Sequence, residues 1–421
     1  MSNQPPLPYG RHAIEQDDCD AVLEVLRGDW LTTGPIVGEF ERALAKRCGA
    51  AEAVSCINGT AALHLACLAL GLDSDATAIV PAVTFLATAN APRMTGAEVV
   101  FADVDPESGL MEARHLEDAI ARTIAAGRRP SVVLPVHLGG QCADLAAIAA
   151  VARRSGLAVI EDACHALGTV YRTSGGAPTA IGSCTHSDLT VFSFHPVKTI
   201  TTGEGGAVTA REAALAQRLR QQRSHGMVRD GGAFEDHEAA FEGDLANPWY
   251  YEMPEIGFNY RISDINCALG LSQLRKLDRF AALRRALVER YDRRLAALAP
   301  LVRPVKRNAD AIPVWHLYSV LIDFAAIGKT RGEVMRCLQD HRIGSQVHYI
   351  PVHRQPYYRR RYGALSLPGA EAYYARTLSL PLYIGMTAAD VDRVVDRLAD
   401  CIARPSAAGK AGRSLVTGAA G

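Results

Sequence analysis

The stretch Leu189-Thr190-Val191-Phe192-Ser193-Phe194-His195-Pro196-Val197-Lys198-Thr199-Ile200-Thr201-Thr202-Gly203-Glu204-Gly205-Gly206-Ala207-Val208 organises the rest of the chain. The apolar, β-branched run from Leu189 to Phe192 reads as a strand, and Ala207 to Val208 leads away as a second one. Between them the segment is too rich in threonine and glycine for a helix, so Lys198 is held on a strand-end loop. Half-buried among Phe192, Phe194 and Ile200, its ammonium form is disfavoured by desolvation. The neutral amine is then free to attack a carbonyl carbon and form a Schiff base. Taken alone, a lysine beside a hairpin is far more often a solvated surface residue, so the decision rests on its company elsewhere.

Upstream, the strand Leu157-Ala158-Val159-Ile160 ends in Glu161-Asp162-Ala163-Cys164-His165-Ala166, which puts a carboxylate at the mouth of a buried sheet. A pyridoxal phosphate (PLP) ring nitrogen needs such a carboxylate to stay protonated and keep the ring an electron sink, and Asp162 is the candidate. Its competing role is to cap a following helix. His165 reads equally as a hydrogen-bonded structural histidine or as a ring contact. Further upstream, a strand from Ala53 to Ile57 meets Asn58-Gly59-Thr60 before an alanine- and leucine-rich helix. Glycine lets the backbone approach a ligand, and a helix start offers free N–H groups and a positive dipole end, the makings of a phosphate site.

Working outward, continuous apolar strands (Ala78 to Val80, Glu98 to Phe101, Val132 to Pro135) alternate with amphipathic helices (about Thr84 to Met94, Ala113 to Thr123, Leu145 to Arg154). That alternation predicts a mostly parallel sheet covered on both faces, with ligands at the carboxyl ends of its strands. Helices are predicted at Gln16 to Leu26 and through Phe40 to Lys46, with a turn carrying Trp30 between them. The segment from Arg172 to His186 reads as an irregular hairpin excursion. A helix from Glu212 to Gln222 leads into a polar stretch, Arg229 to Asn247, that reads as a long loop. A long helix from Ser263, broken on its way to Leu298, joins a large domain to a smaller α+β domain. The latter is predicted to hold a strand (Trp315 to Ile322), a helix (Arg331 to Asp340), a short strand (Gln346 to Tyr349), and helices near Tyr373 and from Ala388 to Ile402. The expected division is an N-terminal segment 1–28, a large PLP-binding domain 29–275, a small C-terminal domain with its linking helix 276–403, and a disordered tail 404–421.

Lysine plus arginine equals aspartate plus glutamate at 45 each, so no global field favours nucleic acid or an acidic membrane. No basic-then-apolar leader and no run of about 18 uncharged apolar residues occurs, and a cytoplasmic location is expected. The ten cysteines show no Cys-x-x-Cys and no zinc-type Cys/His pairing, so reduced, structural thiols and no metal are expected.

Five ordered motifs then carry a resemblance over roughly Tyr9 to Cys401: Asn58-Gly59-Thr60-Ala61-Ala62-Leu63, Glu161 to Ala166, Ser193 to Lys198, Thr202-Gly203-Glu204-Gly205-Gly206, and Gly257-Phe258-Asn259-Tyr260-Arg261-Ile262. Together they resemble the PLP-dependent nucleotide-sugar aminotransferases of the DegT/DnrJ/EryC type. These are fold-type I enzymes with a large, mostly parallel-sheet PLP domain and a small C-terminal α+β domain. Within the family, Arg223-Ser224-His225-Gly226, Pro248 to Met253 and Gln346 to Val352 look most like the pseudaminic acid branch, the UDP-4-amino-4,6-dideoxy-N-acetyl-β-L-altrosamine transaminases. That branch aminates C4 of a UDP-linked 4-keto-6-deoxy sugar with L-glutamate as donor.

The resemblance implies that Lys198 carries the Schiff base and shuttles the proton, that Asp162 holds the pyridinium, and that His165 contacts the ring. Gly59, Thr60, Ser193 and Asn259 would bind the phosphate, Asn259 reaching across from the second subunit of a homodimer with shared active sites. Phe85 would pack on the ring face. Sugar-nucleotide contacts would fall on Tyr9, on Asp29, Trp30, Leu31 and Thr32, and on His348, Tyr349, Ile350 and Pro351, together with Gly59, Ser193 and Asn259. Tyr9 reads equally as N-terminal packing, and His348 as a hydrogen-bonded strand residue. A lysine at the Schiff-base position argues for transamination over the dehydration performed by relatives with histidine there. Two rivals stay open: an aminotransferase for a GDP- or dTDP-linked keto-sugar, and a PLP-fold binding or regulatory protein without turnover.

Overall fold

The computed structural model describes residues 5–172 and 176–403. The predicted tail 404–421 and part of the excursion near Ser174 lie outside the described residues. The central sheet has seven strands: β1 (Glu52–Cys56), β2 (Thr77–Pro81), β3 (Glu98–Ala102), β4 (Val132–Val133), β5 (Ala158–Asp162), β6 (Leu189–Ser193) and β7 (Gly206–Ala210). Their spatial order is β1-β7-β6-β5-β4-β2-β3. Five strands from β6 to β3 run parallel, and β7 is antiparallel to both β6 and β1. This is the mixed α/β architecture expected of the strand–helix alternation.

Around the sheet lie α1 (Gln16–Arg27), α2 (Pro35–Cys48), α3 (Gly59–Ala69), α4 (Leu86–Met94), α5 (Ala113–Ala125), α6 (Leu145–Arg154) and α7 (Ala213–Arg223). Of these, α3 is apolar around its whole circumference and is buried as a whole, as such a helix must be. Its first turn is fixed by Asn58, whose Oδ1 accepts from the Ala61 amide at 2.8 Å. Gly206 opens β7 against that turn: a Cβ there would sit 2.4 Å from the Asn58 carbonyl oxygen. A side chain at 206 would force strand and helix start apart.

The linking helix is broken at Lys276 into α8 (Asp264–Arg275) and α9 (Leu277–Leu295). Leu277 and Phe280, at the start of α9, pack in the core beneath β6 and β7. Leu287, Val288, Tyr291 and Leu295 pack instead with a separate C-terminal core. That second core is built on a three-stranded antiparallel sheet of β8 (Val302–Pro304), β9 (Tyr318–Ile322) and β10 (Thr377–Leu380), covered by α10 (Arg331–Asp340) and a later helix, Ala388–Ala403. Between them, α11 (Pro356–Tyr362) and α12 (Pro368–Arg376) lie back on the first core through Tyr358 and Tyr373. The Ala388–Ala403 helix is α13.

Several expectations are corrected. The stretch from Arg229 to Asn247 is not a structureless loop: it holds a helical turn, His237–Ala240, and a hairpin pairing Phe241–Glu242 with Leu245–Ala246. Its polar composition conceals Phe234 and Phe241, which pack edge to face, and Phe234 meets Tyr250 just beyond the stretch in the same way. Gln346 to Tyr349 is not a strand, because only Gln346 pairs, with Ser379 of β10. No helix follows Asp162, whose Oδ1 accepts from the Cys164 amide within a turn, so the capping role has no helix to cap. The expectation of reduced thiols fails for two cysteines: Cys337 and Cys401 are disulfide-bonded across α10 and α13. Sequence spacing could not show this, since folding brings together residues 64 positions apart. No helix among the described residues is long and apolar enough to cross a membrane.

Candidate active site

The strand ends β5 and β6 and the start of α3 converge on a cleft of about 600 Å³. The lysine loop is tightly held at its floor. The Thr201 hydroxyl and Thr202 amide both donate to the Phe194 carbonyl at 2.9 and 3.0 Å, and the Phe194 amide donates to Gly205 at 2.8 Å. Asn266 of α8 clamps the Thr202 carbonyl at 2.6 Å. Lys198 is thereby presented to the cleft. Burial pushes its amine below the ordinary lysine value, against the opposing pull of Cys164 and Asp162.

Asp162 ends β5 and lines the same cleft. It is buried at 5 % exposure, and the Thr88 hydroxyl donates to its Oδ2 at 2.6 Å. Thr88 is itself joined to Thr84 at 2.7 Å. The neighbouring Glu161 points into the other layer, where His137 Nε2 lies at 3.0 Å and Ser187 and Thr190 donate hydroxyls. Alternation along the strand thus assigns the two carboxylates to different faces.

His165 is wholly engaged. The Gly139 amide donates to its Nδ1 at 3.2 Å, so the ring proton sits on Nε2, 3.2 Å from Tyr349 Oη. The reading of His165 as a hydrogen-bonded histidine holds, and its ring also lines the cleft. Burial holds its pKa well below the usual histidine value, and that of Tyr349 well above the usual phenol value. Both stay neutral, and the Tyr349 hydroxyl proton remains available to the cleft. His348 bonds Ser379 at 2.8 Å through Nδ1 and is pushed down to about 3 by burial and by Lys198. Tyr9 packs against the C-terminal part of the chain, its carbonyl accepting from the Leu382 amide, and its ring faces His348 at 5.7 Å in the cleft wall.

Gly59, Thr60, Phe85, Ser193 and Ile350 also line the cleft. Pro351 is buried beside it, and Asp29, Trp30, Leu31, Thr32 and Asn259 are exposed elsewhere on the chain. The segment from Leu31 is tied to α8, where Asp264 accepts from the amides of Gly34 and Ile36. Missed by sequence reasoning were Thr88 and His316. His316 lies at 4.4 Å from the His165 ring and carries a buried, unpartnered Nδ1. A histidine in the apolar run Val314 to Leu317 was the available signal; nothing marked Thr88.

Comparison with known proteins agrees with this arrangement. The sequence profile of the DegT/DnrJ/EryC1/StrS aminotransferase family matches residues 12–399, and the chain belongs to that family. It is 38% identical over 400 residues to the spore coat polysaccharide biosynthesis protein SpsC of Bacillus subtilis (strain 168), covering 94% of this chain and 97% of that one. Its structure is similar to Helicobacter pylori PseC, an aminotransferase involved in the biosynthesis of pseudaminic acid, with TM-score 0.83, 27% identity, and 94% and 99% of the two chains covered. It is also similar to DesI, solved in the presence of its TDP-sugar product, with TM-score 0.82, 30% identity, and 98% and 96% covered. The chain is an aminotransferase, and its cofactor is PLP.

The residues present fit that cofactor. A phosphate group would find the first turn of α3, whose leading N–H groups have no partner within the helix. Gly59 is needed there because a Cβ would lie 2.8 Å from Ser193 Cβ, closing the cradle between helix and serine. A planar ring would find Phe85, an aromatic left 55% exposed inside the cleft. A ring nitrogen would find the buried carboxylate of Asp162, and an aldehyde would find the amine of Lys198, lowered by burial.

Proposed function

We propose that this protein transfers the amino group of L-glutamate to C4 of a UDP-linked 4-keto-6-deoxy-N-acetyl-hexosamine, giving UDP-4-amino-4,6-dideoxy-N-acetyl-β-L-altrosamine, as a homodimer with shared active sites. The observation that carries the chemistry is the pairing, in one cleft, of a buried carboxylate at Asp162 with a desolvated amine at Lys198. The sugar and its pathway are supported by the likeness to PseC over 94% of the chain and by the Tyr9, His348 and Tyr349 wall.

PLP, when bound, supplies an electron sink that makes the donor's α-proton acidic. The chain supplies the rest. Asp162, oriented by Thr88, would hold the proton on the ring nitrogen. Gly59, Thr60 and Ser193 bind the phosphate, with Asn259 supplied by the neighbouring subunit. Lys198 Nζ takes the proton from the donor's α-carbon and returns it, a task suited to an amine whose pKa has been lowered toward the working range. His165 orients Tyr349, whose hydroxyl donates to substrate. Tyr9 and His348, with Ile350 and the Pro351 turn, shape the wall facing the sugar. Asp29 to Thr32, exposed on their own chain, are assigned to sugar-nucleotide binding in the assembled dimer. Leu245, Trp249, Tyr251, Met253 and Ile256 are exposed apolar side chains along one stretch of chain that such a dimer could cover.

A second reading keeps the chemistry and changes the sugar. The 38% identity to SpsC exceeds the 27% to PseC, and DesI holds a TDP-sugar product, which favours weighing another nucleotide-linked keto-sugar. The test is a visible spectrum of the purified protein before and after L-glutamate, then after the UDP-linked 4-keto-6-deoxy sugar, with product analysis. A cofactor band that shifts with glutamate and returns with that sugar supports the first reading. A band restored only by a GDP- or dTDP-linked keto-sugar moves the assignment to the second.

A further inference from the structure

The C-terminal core holds a cluster that the cleft does not use. Cys337 and His341 are four residues apart at the end of α10, so a single helical turn places them on one face. Cys401, in the last turn of α13, packs against that face and is bonded to Cys337, with Cα atoms 5.8 Å apart. The two sulfurs and a ring nitrogen of His341 all lie within 4.8 Å of one another. His341 Nε2 is buried and has no hydrogen-bond partner, although buried polar atoms nearly always find one. Cys337 and His341 are only partly buried, so an ion has a way in. None of the three lines the cleft.

Two thiols and an imidazole at one point are the donor set of a borderline-soft divalent cation, and zinc takes them tetrahedrally with water in a fourth position. We propose that Cys337, His341 and Cys401 form a zinc site when their disulfide is reduced, and that the disulfide is the oxidised, metal-free form of the same site. Reduction by an external dithiol breaks the S–S bond and leaves two thiols, the dithiol becoming a disulfide. Binding of one Zn²⁺ then releases the two thiol protons. In reverse, a small-molecule disulfide such as oxidised glutathione takes the two electrons, becomes two thiols with the two protons added, and the new Cys337–Cys401 bond expels the ion. In either state α10 stays tied to α13, so the C-terminal helix is clamped by a sulfur bond or by a metal.

The test uses the full chain, reduced anaerobically with a phosphine, desalted and titrated with Co²⁺ as a spectroscopic probe. Expected is one equivalent per chain with a near-ultraviolet sulfur-to-metal charge-transfer band that Zn²⁺ abolishes by displacement. The unreduced protein should give no band, and Cys337→Ser and Cys401→Ser should lose it. His341→Gln, which keeps both thiols, should bind Co²⁺ at least tenfold more weakly yet still form the disulfide. Eight other cysteines are free, so a band that survives Cys337→Ser belongs to them and overturns the proposal. So does the absence of a band in the reduced wild type. Should the serine variants fail to fold, unchanged Co²⁺ affinity in His341→Gln overturns it equally.

Discussion

The Thr88 hydroxyl donates a 2.6 Å hydrogen bond to Asp162 Oδ2 across two strand–helix units. This bond sets which way the carboxylate faces, and it is charge-assisted. Thr88→Val should therefore lower turnover by about tenfold to a hundredfold, matching the roughly 1.5–3 kcal/mol of such a bond, and should weaken PLP binding in equilibrium dialysis. Asp162→Asn should cost more rate than Thr88→Val and little stability. A large drop in melting temperature at unchanged rate would make the pair an element of the fold.

Lys198→Ala should abolish turnover and the cofactor's visible band while the far-ultraviolet circular dichroism stays native, because the loop is held by Phe194, Thr201, Thr202 and Asn266 and not by the lysine. Retained activity would remove Lys198 from the site.

The amine's own titration has a definite sign. Asp162 and Cys164 raise the Lys198 pKa while burial lowers it further. Removing the carboxylate in Asp162→Asn takes away an upward pull, so the midpoint should move to still lower pH. Acylation of Lys198 in cofactor-free protein, followed by peptide mapping against pH, reads that midpoint; a move to higher pH would contradict the arrangement.

Stability should fall on acidification before any carboxylate titrates. His165, His316 and His348 are buried with folded pKa values below the usual one. Above about pH 6.5 this costs nothing, since the unfolded chain is neutral there too. As pH drops below 6.5 the unfolded imidazoles bind protons and the folded ones do not. For His348, pushed down to about 3, that amounts to about 2 kcal/mol by pH 5. Thermal melts between pH 7 and 5 should slope downward, and more gently in His348→Asn.

A shared site can be tested by complementation. Lys198→Ala and Asn259→Ala each spoil a homodimer, but a mixed dimer contains one site with both residues intact. Co-refolding the two variants should recover activity that neither has alone. No recovery would place Asn259 outside the neighbour's cleft.

What the sequence disclosed was what lies close together along it. Lys198 between two strands, Asp162 at a strand end and Gly59 at a helix start each carry their signal within a few residues. Thr88 lies 74 positions from the carboxylate it serves, and its own surroundings read as a plain helix. His316 and the Cys337–Cys401 pair were hidden in the same way. The hairpin within Arg229 to Asn247 was missed for another reason: its strands are two residues long, too short for an alternation to register. Gln346 to Tyr349 misled in the opposite sense, having the alternation but only one bridge to pair with.

The position of β7 has a consequence for the order in which the molecule comes together. β1, which leads into the Asn58–Gly59 turn, pairs among the described residues with no other strand of the central sheet than β7, whose residues follow it by some 150 positions. Until residues 206–210 slot between β1 and β6, the glycine turn and the lysine loop belong to separate pieces of chain. Long-range closures of this kind come late and slowly in folding. If the glycine turn and the lysine loop bind the cofactor together, it is captured only by a chain whose sheet is already complete, and its colour in a growing or truncated polypeptide would report that the last strand has gone in.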